Sequence, residues 1–85
     1  MRNNFIGVPN IDDDLAKQLM IAGIFTYESL LTCGSRQAWL KIKAFLPSAD
    51  LKILMALEGA IQNISDQNLS TYDKQVLKAF YENNK

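Results

Sequence analysis

Apolar residues recur at helical spacing along most of the chain, and turn and cap residues cut the pattern into five stretches. The first helix is predicted to open at Asp12 and close at Gly23, with Asp13 and Asp14 in the first turn, where the helix dipole favours negative charge. Leu15, Ala16, Leu19, Met20 and Ala22 share one side of it, and Gly23 suits the left-handed residue after a helix end. A short second helix spans Tyr27 to Cys33, capped by Thr26 and stopped by Gly34. A third runs from Arg36 to Leu46, with Ser35 as its cap and Pro47 as its end. Ala38, Trp39, Ile42, Phe45 and Leu46 are its inner face.

The fourth stretch, Ala49 to Asn63 with Ser48 as cap, is apolar nearly all round. A helix of that kind is buried on most sides, so it is expected at the centre of the fold. Gly59 costs about 1 kcal/mol in a helix interior relative to alanine. The close approach of another helix is the expected reason for it. The fifth helix spans Thr71 to Glu82. Ser70 caps it, Asp73 imitates a capping box, and Tyr72, Val76, Leu77, Ala79 and Phe80 form its apolar arc. No segment alternates cleanly enough to be a strand. The expected fold is therefore all-α, a compact bundle of about five short helices.

The 85 residues suffice for one domain, here residues 1–85, with 1–7 read as an N-terminal extension and 83–85 as a frayed tail. No apolar run approaches the 18 or so residues that span a membrane, and no secretory leader pattern is present. The single cysteine, Cys33, cannot form an internal disulfide, and a reducing cytoplasm is the expected compartment. Cys33 itself reads as a small residue at a helix end.

Chemistry is sparse. With no histidine, the commonest general base and the commonest zinc ligand are both missing. No catalytic grouping, cofactor-binding motif, metal-ligand spacing or small-molecule site emerges, so an enzyme is not expected. Asp12-Asp13-Asp14 lacks the spaced oxygens, turn glycine and closing glutamate of a calcium loop.

Nine basic and nine acidic residues cancel, which is not the balance of a protein that holds nucleic acid by charge alone. The charge is uneven, however. Residues 35–55 hold Arg36, Lys41, Lys43 and Lys52 against Asp50 alone, a net of +3. Arg36 and Lys43 share a helix face and Lys41 points elsewhere. Four cations are a thin footprint for DNA, and a solvated helix face explains most of them. Ile21 and Leu40 lie off the inner faces of their helices, as candidates for a partner surface.

Residues 8–31, VPNIDDDLAKQLMIAGIFTYESLL, have the layout of a helix-hairpin-helix unit, with the turn at Asn10, Ile11 and Asp12. Such hairpins carry Gly-x-Gly there, and the glycines let backbone N–H groups approach a DNA phosphate. Here Asp12 fills the anion position with its own carboxylate, so the layout is kept and the phosphate chemistry is largely lost.

The order Val8-Pro9-Asn10-Ile11, Leu15-Ala16, Leu19, Ala22-Gly23-Ile24, Thr26, Leu30, Gly34, Ala38, Leu54 and Ala56-Leu57-Glu58-Gly59-Ala60 resembles the C-terminal domain of the TfoX/Sxy family over roughly residues 8–80. The resemblance implies a helix-hairpin-helix-like, or SAM-like, bundle in a bacterial protein. Full-length members regulate natural competence, promoting transcription of DNA-uptake genes alongside the cyclic-AMP receptor protein. By that resemblance the expected partner is a protein, either the transcription machinery or a regulator of the cyclic-AMP receptor type, with DNA bound weakly or not at all. Asp12 departs from the turn glycine usual in the family, and the family's separate N-terminal domain is not in this sequence. The chain therefore reads as an isolated domain or a short stand-alone relative. The leading expectation is a non-enzymatic regulatory module working through protein contacts. The second is a weak, sequence-tolerant nucleic-acid binder using the hairpin and the cations of residues 35–55.

Overall fold

The computed structural model describes residues 5–85, which form five α-helices and one 3-10 turn, with no strand among them. The helices are α1 (Asp13–Ile21), α2 (Tyr27–Cys33), α3 (Ser35–Phe45), α4 (Leu51–Gln62) and α5 (Thr71–Asn84), with the 3-10 turn at Asp66–Asn68 before α5. The radius of gyration, 11.8 Å, is what a folded chain of this length should have.

Local chemistry sets most of the boundaries. Asp12 accepts a hydrogen bond from Leu15 N, Thr26 from Ser29 N and Ser70 from Asp73 N, so three of the expected caps operate. At the end of α1, Gly23 has φ +89°. Its N–H donates to Met20 O and that of Ile24 to Leu19 O, the paired bonds of a Schellman motif.

Two expected caps fail, each for a physical reason. Ser35 does not cap α3. It is buried as the first helical residue, and its hydroxyl donates to Glu58 Oε1 at 2.6 Å. Ser48 does not cap α4. Leu46, held out of the helical region by Pro47, ends α3 one residue early, and Ala49 N then donates back to Leu46 O. This turn delays α4, so Asp50 becomes the cap and accepts from Ile53 N.

The core lies around α4. Leu54, Leu57 and Ala60 are fully buried there, and Trp39, Ile42 and Ala38 meet them from α3. Trp39 Nε1 donates to Asp50 O at 3.0 Å, tying α3 to the entry of α4. Its ring makes edge contacts with Phe80 and Tyr81 of α5 at 6.0 and 5.8 Å, each worth about 0.5–1.5 kcal/mol beyond burial. A polar chain joins the same three helices: Gln62 Nε2 donates to Glu58 Oε2 at 2.7 Å and to Asp73 Oδ2 at 3.0 Å, while Ser35 holds the other oxygen of Glu58.

Several faces differ from the periodic reading. Tyr72 and Ala79 of α5 are exposed, as is Phe45 at the end of α3; Leu77 and the half-buried Val76, Phe80 and Tyr81 form the inner side of α5 instead. Phe5 is buried in the core, so the expected N-terminal extension belongs to the domain from Phe5 onward; residues 1–4 of it lie outside the described residues. At the other end α5 continues through Asn83 and Asn84, which were expected to fray. There Asn84 Nδ2 donates to Phe80 O, and Lys85 pairs with Glu82 at 2.8 Å. That ammonium, by hydrogen bond and charge, holds the exposed Glu82 carboxyl below its ordinary pKa.

Candidate functional site

Asn10, Ile11 and Asp12, expected as the turn of a helix-hairpin-helix, instead lead into α1 with no helix before them among the described residues; the connection between α1 and α2 is residues 22–26. Asn10 has φ +70°, a left-handed conformation that asparagine tolerates better than other non-glycine residues. Its side chain reaches across the fold to the far end of α4. Nδ2 donates to Ile64 O at 2.8 Å and to Ala56 O at 3.4 Å, and Oδ1 accepts from Asp66 N at 3.1 Å. A carbonyl on one side and an N–H on the other fix the orientation of the amide.

Gly59 makes this approach possible. A Cβ there would stand 2.5 Å from Asn10 Nδ2, 2.9 Å from Ile64 O and 3.1 Å from the Cα of Asp66. The neighbours that require a glycine are thus the segment leading into α1 and the turn after α4, not another α-helix. Asp12 completes the picture, because its Oδ1 takes the N–H of Leu15 at 2.8 Å. Asp13 and Asp14 follow, exposed, in the first turn. The N–H of Leu15 at the helix start is thus taken by the protein's own carboxylate, and the three carboxylates gathered there repel a phosphate.

The four candidate nucleic-acid contacts have different surroundings. Arg36 and Lys41 are exposed on α3. Lys43 is half-buried, its ammonium 5.5 Å from the centre of the Trp39 ring, a cation–π geometry. Lys52, exposed on the first turn of α4, borders a groove of about 200 Å³ that is also lined by Asp12 and Asp14.

The two candidate surface residues separate. Leu40 is half-buried against the core, which removes much of it from any partner. Ile21 is 69% exposed. It lines a shallow apolar depression with Lys17, Met20 and Phe25, the last 53% exposed. Phe25 was not singled out in the sequence. The signal that could have found it was an aromatic residue between a helix-ending glycine and a capping threonine, where no helical face hides it. Among the described residues no His, Cys, Asp and Glu side chains gather in threes to hold a metal ion, and no helix is long and apolar enough to cross a membrane.

Most of the residues that carry the family resemblance have structural work. Leu15, Ala16, Leu19, Ile24, Leu30, Ala38, Leu54 and Leu57 are buried, and Gly23 and Gly34 adopt positive φ. In the run Ala56-Leu57-Glu58-Gly59-Ala60, Glu58 holds Ser35, Gly59 admits Asn10, and the carbonyl of Ala60 accepts from Tyr27 Oη at 2.9 Å. The pattern therefore specifies a fold and leaves the exposed surface unspecified.

Comparison with solved structures agrees. The chain matches an uncharacterized protein from Listeria monocytogenes in a triclinic crystal form, with 38% identity, a TM-score of 0.89, and coverage of 89% of this chain and 86% of that one. It also matches a protein of unknown function from Listeria monocytogenes in a tetragonal form, with 36% identity, a TM-score of 0.94, and coverage of 96% of this chain and all of that one (100%). No curated protein shows a significant match. The family model of the TfoX C-terminal domain matches residues 1–81, nearly the whole chain, and the protein belongs to that family.

Proposed function

We propose that this domain is a non-enzymatic regulatory module of the bacterial cytoplasm that acts in natural competence, or DNA transformation, through protein contacts. Family membership supports the setting. The observation that carries the contact mode is the pairing of an internally engaged segment, Asn10 to Asp12, with an exposed apolar surface at the end of α1. Asn10 and Asp12 bind the protein's own backbone, while Ile21 and part of Phe25 are exposed beside Met20 and Lys17. Exposed apolar groups grouped in this way mark contact sites more often than isolated ones do.

The partner class is the transcription machinery or a regulator of the cyclic-AMP receptor type. The test is surface plasmon resonance of the immobilised domain against purified RNA polymerase and against that regulator from the same cell. Binding by the parent that is lost in Ile21→Asp supports the reading. Binding that Ile21→Asp leaves intact moves the contact elsewhere, and no binding to either protein overturns the partner class.

A second reading, weak and sequence-tolerant nucleic-acid binding, is favoured by the exposure of Arg36 and Lys41. Each phosphate neutralised by a cation steepens the salt dependence of binding, so this mode has a measurable signature.

A further inference from the structure

We draw no further inference here: the strongest candidate, the groove of about 200 Å³ between the first turns of α1 and α4, sets the carboxylates of Asp12 and Asp14 and the ammonium of Lys52 around two helix N-termini, and no group in it selects a ligand of either charge.

Discussion

Replacing Gly59 with alanine should destabilise the domain, against the ordinary rule for helices. In an open helix interior the change is stabilising by about 1 kcal/mol. Here the added methyl meets Asn10 Nδ2 at 2.5 Å, Ile64 O at 2.9 Å and the Cα of Asp66 at 3.1 Å. Two of those three atoms are backbone and cannot swing aside. Overpacking of this kind costs about 1–3 kcal/mol. Moving Asn10 also breaks its two shorter hydrogen bonds, at about 1 kcal/mol each. The net expectation is a loss of about 2–4 kcal/mol, a large share of the roughly 5–15 kcal/mol that holds a small domain folded.

Urea unfolding followed by Trp39 fluorescence measures it, since Trp39 is the only tryptophan and is fully buried. Asn10→Gly supplies the second arm. It keeps the positive φ at no cost but removes the amide. Gly59→Ala should therefore cost less in that background than in the parent, by about 1 kcal/mol or more of coupling. A Gly59→Ala variant as stable as the parent, or more so, would refute the proposed packing. Strict additivity with Asn10→Gly would show that the two positions do not meet.

Other perturbations probe separate parts of the fold. Leu57→Ala should cost about 2–5 kcal/mol in the same unfolding experiment, because Leu57 is fully buried in the central helix; an unchanged midpoint would remove α4 from that role. Ser35→Ala should cost about 1–3 kcal/mol, since it strips a buried donor from the Glu58 carboxylate, whereas a mere cap mimic would be replaced at that position with little loss. Ile21→Asp should change stability by no more than about 0.5 kcal/mol, as judged by thermal melting, because the side chain is 69% exposed; a larger loss would mean that Ile21 serves the fold rather than a partner.

What could be read from the sequence was the local chemistry. The whole of α2, the caps Asp12, Thr26 and Ser70, and the positive-φ Gly23 depend on interactions within a few residues. Periodicity also placed Trp39, Ile42, Leu54 and Leu57 in the core. What escaped depends on distant partners. Ser35 has the chemistry of a cap, and only its proximity to Glu58, 23 positions away, gives it another use. Asn10 meets residues 46 to 56 positions away, which no local pattern encodes. Tyr72 has helical spacing on α5 and is 72% exposed, because the part of α5 that meets Trp39 lies further along, at Phe80 and Tyr81. For the candidate site, Ile21 could be found as a residue off the apolar face, but its neighbour Phe25 sits in a connection that has no face to be off.

The measurement closest to the central claim is a titration of fluorescently labelled duplex DNA with the unmodified domain at low and at physiological salt. At the start of α1 the Asp12 carboxylate takes the N–H of Leu15, and two further carboxylates follow. The expected result is at most weak binding at low salt, with a shallow dependence on salt concentration, and no complex at physiological salt. Tight binding at physiological salt, with a slope corresponding to several neutralised phosphates, would contradict it and establish the nucleic-acid reading in its place.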